Sequence, residues 1–338
     1  MREVAMDEAS EELRRERAFL TDTAPKLAND FLETARESRA TRSAKDALIA
    51  DEIAHIWARG WTAVDGLVYS MEQSAALMFT RSGLEDGHAK TREALLLLQC
   101  AATLTLREIR ELLCAGYLSG AAARWRALHE TAVTAILVAQ GGENIAERYL
   151  DHGVVAQFTR LEEFYRQPHP EAPSNEERAE RNALVNELIK ANTLENESVG
   201  FTRPYAWATP LMDRRRDGRF QEPSFTRLEA AAGQTGMRLL VQHGAHGHVH
   251  NDAGAVRTAV LKDGVTLLAG PRVEEIPTVA IPALRTISSA VAATHMGYEP
   301  ELSEFGRLIC LTGAAVADLA ITGAEEFKSV HRSAQLLF

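Results

Sequence analysis

The stretch TREALLLLQCAATLTLREIRELLCA, Thr91–Ala115, decides the fold class. Four consecutive leucines, Leu95–Leu98, are followed by Leu104, Leu106, Ile109, Leu112 and Leu113, with no Gly or Pro in the run. Strands seldom exceed about ten residues, so an unbroken segment of this length with helical spacing reads as a helix. Its first half is apolar almost all round, which marks a central helix. Gly116 ends it. Downstream, Ser119 can cap a second helix, Gly120–Gln140, which carries Trp125, Leu128, Val133, Ile136 and Leu137 and is closed by Gly141-Gly142. Ile145, Tyr149, Leu150, Val154, Phe158 and Leu161 continue the helical period to Arg166.

The same period runs outward in both directions. Upstream, residues 7–20 form a charged helix, a second begins near Pro25, and a third runs from Ala44 until Gly60 bends it before Trp61, Val64, Leu67 and Val68. Downstream of the Pro-rich loop 168–178, residues 176–192 read as an exposed helix. Residues 193–222 lack clean periodicity and read as an irregular, mobile insertion that contains Arg214, Arg215, Arg216 and Arg219. Helix returns from Pro223 to Ala245, interrupted by Gly233 and Gly236, and two more helices occupy 278–297 and 300–323. Between Ala245 and residue 278, Val256, Thr258 and Val260 alternate, Asp263-Gly264 is a tight-turn dipeptide, and Val265, Leu267 and Ala269 alternate on return. The expected architecture is therefore an all-α, multi-helix bundle with a small β-hairpin insertion near 255–270. Its expected organisation is an N-terminal helical segment 1–85, a main bundle 86–323 and a C-terminal tail 324–338.

Composition bounds the function. Of 338 residues, 46% are apolar and 25% charged, which excludes a disordered chain. The net charge of −10 disfavours broad, sequence-independent duplex binding, although a local basic cleft for RNA or a nucleotide remains compatible with it. Cys100, Cys114 and Cys310 are odd in number, widely spaced and set in apolar runs, so they read as buried structural thiols. The charged N-terminus lacks the apolar core of a signal peptide. The longest uncharged stretches, 94–106 and 286–298, are shorter than the ~20 residues of a membrane span. A cytoplasmic protein without a membrane partner is expected. Apolar helices too numerous for one simple bundle suggest a homodimer.

Two polar constellations stand out. The first, Arg124-Trp125-Arg126-Ala127-Leu128-His129-Glu130, lies in an otherwise apolar helix. At about 100° per residue, Arg126 and Glu130 are separated by about 40°, and His129 lies about 60° from Arg126 on the other side. Buried charges require partners, so the group reads either as an internal Arg–Glu pair or as an anion site. In the second reading Arg126 holds a phosphate and Glu130 orients it or a histidine. The second constellation, QHGAHGHVHND at 242–252, holds four of the eleven histidines. On a helix His243, His246 and His250 share a stripe, and with Asp252 they could hold a divalent metal such as zinc. The H-E-x-x-H pattern is absent. The alternatives are a non-metal catalytic role for His250 and a set of surface histidines at a Gly-rich helix end. The arginine run at 214–219 reads first as a solvated loop face, with phosphate contact as its alternative. No phosphate-binding P-loop, dinucleotide fingerprint or hydrolase elbow is present, so no cofactor is expected beyond that metal.

At Arg126–Glu130 and Val249-His250 the sequence resembles a bacterial helical family of uncharacterised function. That family carries an R-x-L-x-E helix and, about 100 residues later, a helix end closing on Val-His. The likeness spans roughly residues 90 to 300. The family pattern often has Ser one turn before the His, where this chain has His246. A weaker likeness is to the HEPN ribonuclease superfamily, whose all-α domains use an Arg, four to six residues, then a His. Arg124 and His129 fit that spacing. On an ideal helix, however, they lie about 140° apart. This likeness implies metal-independent RNA cleavage in toxin or phage-defence settings. The expected function is thus a HEPN-like ribonuclease or nucleotide-acting enzyme, with Arg126 or Arg124 on phosphate and His250 or His129 as acid or base. The alternatives are a metal-dependent hydrolase at His243, His246, His250 and Asp252, or a non-catalytic helical scaffold.

Overall fold

The computed structural model describes residues 2–81, 83, 87–165, 173–241, 260–262, 267–269, 273, 275–299 and 303–335. Among them the architecture is all-α. The helices are α1 (Arg2–Ile56), α2 (Ala58–Phe79), α3 (Ala89–Cys114), α4 (Leu118–Phe164), α5 (Asn175–Asn192), a 3-10 helix (Ala206–Leu211), α6 (Phe225–Ala231), α7 (Thr235–Val241), α8 (Ile276–Tyr298) and α9 (Glu304–Gln335). The chain divides into two units, 1–52 and 53–338.

The first unit is helical backbone from residue 2 onward and runs through Pro25, where the sequence suggested a new start. Leucine and phenylalanine side chains at Phe19, Leu20, Leu27, Phe31 and Leu32 are exposed.

The second unit is a five-helix bundle. Helix α3 packs on α2, α4 and α8; α8 packs on α4 and α9; and α9 packs back on α2, closing the ring. Its core joins Leu95, Leu98, Val133, Leu137, Trp207 and Tyr298. Trp125 is buried, and its indole Nε1–H donates to Thr286 Oγ1 at 3.1 Å, tying α4 to α8. At the other end, Trp61 meets Phe327 edge-on with centroids 4.9 Å apart. Gly60 does not bend its helix. The break falls at Trp57, and Gly60 admits the Phe327 ring, which a Cβ would meet at 2.7 Å.

Several expectations are corrected. The unit boundary lies at 52/53 rather than near 85, because α2 is part of the bundle, and residues 324–335 extend α9 instead of forming a tail. The outward face of α3 carries Leu97, Cys100 and Leu104 in the open, so that helix is not buried all round. Cys100 is exposed, Cys114 and Cys310 are half-buried, and all three are free, so none is a buried core thiol. The expected helix break at Gly141-Gly142 survives as a kink inside α4, with Gly142 at φ 61°. The hairpin expected over 255–270 is not established as an element of the fold. Within that span only Val260–Lys262 and Leu267–Ala269 are described, as two short antiparallel strands, and the Asp263-Gly264 turn lies outside the described residues. By length and composition α8 and α9 could each cross a membrane, but 56% of the α8 window is buried inside the bundle.

Residues 193–222 are not a loose insertion. Phe201, Ala206, Trp207, Ala208 and Met212 are buried. The anchor is Arg148 of α4, itself 5% exposed. It donates to the carbonyls of Asn192 (2.7 Å), Trp207 (3.2 Å) and Ala206 (3.3 Å), and its guanidinium lies 5.1 Å from the Phe201 ring centroid. Desolvation lowers its pKa, and Glu197 and Asp151 oppose that shift. An arginine remains charged under such conditions. One buried cation thus fixes the segment that carries Tyr205 toward α4.

Candidate functional site

The polar residues of α4 divide between two sides of the helix. Arg124 faces α3, where it pairs with Glu108 and donates to Thr105 Oγ1 at 3.4 Å. His129 faces α6: its Nε2 lies 2.9 Å from Glu229 Oε1, and the two side chains are 1% and 4% exposed. The spacing that suggested an Arg124–His129 pair therefore does not bring those residues together within one chain. The reason is the rotation per residue of an unbroken helix.

Arg126, His129 and Glu130 do form a local group. Arg126 Nε donates to Glu130 Oε1 at 3.3 Å, at 25% and 39% exposure, so this pair is open to solvent. An exposed i,i+4 pair contributes only about 0.5 kcal/mol, which makes it a weak device for bundle register. Beside it stands Tyr205, whose hydroxyl pKa is raised chiefly by burial, with Glu130 adding to the shift and Arg126 opposing it. Tyr205 has φ 64°, a left-handed conformation rare for an aromatic residue. Holding it there costs roughly 1–3 kcal/mol, and such strain clusters at functional sites. Its ring lies 6.0 Å from that of Phe225, which in turn meets the His129 imidazole edge-on at 5.8 Å.

The inner layer is a carboxylate–imidazole pair. Because a carboxylate accepts, His129 donates its Nε2–H to Glu229. In the neutral ring this fixes the tautomer with Nδ1 as the acceptor. Nδ1 is buried and has no hydrogen-bond partner among the described residues. Arg238 of α7 approaches the second Glu229 oxygen at 3.7 Å. The arrangement holds an oriented imidazole whose buried Nδ1 has no hydrogen-bond partner among the described residues, about one turn of α4 from the part-exposed Arg126 guanidinium. Among the described residues no group of three or more His, Cys, Asp or Glu could hold a metal ion. His243, His246, His250 and Asp252 lie outside the described residues.

Glu229, Tyr205 and Arg238 were not singled out by sequence. Glu229 sits in FTRLEAA, a helix too short for its period to separate an inward from an outward carboxylate. Nothing in the chain marks Tyr205 as left-handed. A second buried imidazole, His295, accepts from Ser74 at Nε2 and donates from Nδ1 to the Val291 carbonyl at 2.8 Å. Both its nitrogens are engaged inside the α2–α8 contact, which makes it a structural link.

A family model matches residues 92–264, just over half of the chain. The chain belongs to DUF5677, a family of unknown function. The DUF5677 match begins in the first turn of α3 and runs past α7, and so covers every member of the Arg126–His129–Glu130–Tyr205–Glu229–Arg238 group. It leaves out α2, α8 and α9, which complete the bundle around it. No curated protein and no solved structure matches the chain.

Proposed function

We propose that this protein is an enzyme acting on a phosphoester of RNA or of a nucleotide, with its site in the N-terminal third of α4. The observation that carries the reading is the buried Glu229–His129 pair, which leaves one buried ring nitrogen without a hydrogen-bond partner among the described residues. A carboxylate that orients an imidazole and stabilises its protonated form is a general device of acid–base catalysis. Arg126 supplies the phosphate contact, since a guanidinium matches two phosphate oxygens at once. Glu130 holds Arg126 until an anion displaces it. Tyr205 offers a hydroxyl at the same rim. His129 is sealed from bulk solvent, so α6, only seven residues long, must move away from α4 for a substrate to reach it.

The test is isothermal titration of nucleoside 3′- and 5′-monophosphates into the wild type, Arg126→Ala and Arg124→Ala. The reading expects binding by the wild type and Arg124→Ala and its loss in Arg126→Ala. Equal heats from the wild type and Arg126→Ala would remove Arg126 from the site.

A further inference from the structure

Resting on that reading of the α4 site, we infer that residues 213–221 form an arginine-tipped hairpin that grips the phosphate backbone of single-stranded RNA beside it. The segment is ordered by its own chain. Gly218 N–H donates to Arg215 O at 2.9 Å, Arg215 N–H to Arg219 O at 2.7 Å, and Gln221 N–H to Asp213 O at 2.8 Å. Arg214 and Phe220 form an antiparallel bridge. Gly218 has φ 81°, as a three-residue hairpin loop with a left-handed glycine requires. Phe220 N–H donates to Asn196 O at 2.9 Å, which ties the stem down.

The four arginines are not equivalent. Arg214 is used internally: it donates to Gly218 O at 2.9 Å and lies 4.3 Å from the Phe220 ring centroid. Asp217 accepts from the Arg219 backbone N–H at 3.1 Å, so it serves the turn. Arg215 reaches Asp217 only at 4.0 Å, and Arg216 and Arg219 have no ion-pair partner among the described residues. All three are exposed. One arginine and one aspartate therefore build the loop, and three guanidinium groups project from it. Holding like charges together has a cost, and here it comes within a chain of net charge −10. An anionic partner would offset that cost.

The position selects the partner. The hairpin is the excursion between Tyr205 and Phe225, whose rings stand 6.0 Å apart at the α4 site. Exposed Arg203 and Arg227 flank those two rings in sequence. An RNA strand whose scissile phosphate sits at Arg126 would run its neighbouring phosphates past this tip. Three arginines on a flexible-strand partner suit single-stranded RNA better than a duplex, whose higher charge density an acidic body repels.

The experiment is fluorescence anisotropy with a labelled 2′-O-methyl oligouridylate, which cannot be cleaved through its 2′-hydroxyl, across a salt series. Arg215, Arg216 and Arg219 are replaced together by Ala or by Lys. Each phosphate contact on a single strand contributes about 0.7 to the slope of log K against log salt. The alanine variant should therefore lose about 2 from that slope and at least about tenfold in affinity at low salt, while the lysine variant keeps most of both. An alanine variant with wild-type slope and affinity overturns the inference. So does a wild type that binds no RNA, or one that binds phosphatidylserine vesicles through these arginines in its place. Loop-dependent binding without any RNA cleavage would defeat the catalytic reading alone. Cleavage that needs Arg126 but ignores the loop would defeat this one alone.

Discussion

Replacing Arg148 by Met gives the sharpest test of how the site is held. The substitution removes a buried guanidinium and the desolvation cost it carries, yet leaves its backbone acceptors behind. Of the three carbonyls, Ala206 O keeps the Thr209 hydroxyl at 2.8 Å. Asn192 O and Trp207 O lose the guanidinium N–H that each accepts. An orphaned buried acceptor costs about 1–3 kcal/mol, so two amount to about 2–6 kcal/mol before the recovered desolvation is subtracted. A net loss of about 3 kcal/mol lowers Tm by roughly 4 °C in a protein of this size. The loss should be local as well as global. Amide exchange by mass spectrometry should show protection collapsing over 201–212 while α3 retains it. A variant with wild-type Tm and unchanged exchange at 201–212 would refute the claim that Arg148 anchors this segment.

Three further outcomes follow from single contacts. Gly297→Ala would put a Cβ 2.9 Å from the Ala139 Cα, backbone that cannot yield, so denaturant unfolding should show a loss of about 1–3 kcal/mol; an unchanged midpoint contradicts the α4–α8 packing. Glu143→Ala removes the carboxylate that accepts from Lys90 N–H and Thr91 N–H, both at 2.9 Å, and should cost about 0.5–2 kcal/mol; no shift in the unfolding midpoint would deny it the role of α3 cap. His295 and His152 are both held below the ordinary imidazole pKa, chiefly by burial. The unfolded chain then binds protons first, so stability should fall as pH drops below about 6.5 and level off below the folded values. Tm of His295→Gln should decline less steeply over that window, and parallel curves would contradict the assignment.

The bundle was legible because its period is long. Thr91–Ala115 and Gly120–Gln140 state their helical spacing over many turns, and Gly142 marks the kink between the two parts of α4. The finer features failed where one residue carried the information. Gly60 reads as a break, yet its role is to admit Phe327. Asp217-Gly218 is the same turn dipeptide as Asp263-Gly264, and it closes a tight hairpin inside a stretch read as irregular. At the site, the angular arithmetic on α4 separated Arg124 from His129 and joined Arg126 to Glu130, as the contacts do. Glu229 and Tyr205 were invisible because their roles come from what α6 and the Arg148-anchored segment bring toward α4. No local pattern encodes that approach.

The most direct measurement of the central claim is cleavage of total RNA in EDTA by the wild type, Arg126→Ala and His129→Gln, each shown to be folded. The account predicts cutting by the wild type that survives EDTA and falls at least about a hundredfold in both variants. Cutting that persists undiminished in the two folded variants, or a wild type that cuts neither RNA nor a nucleotide phosphoester, would contradict it.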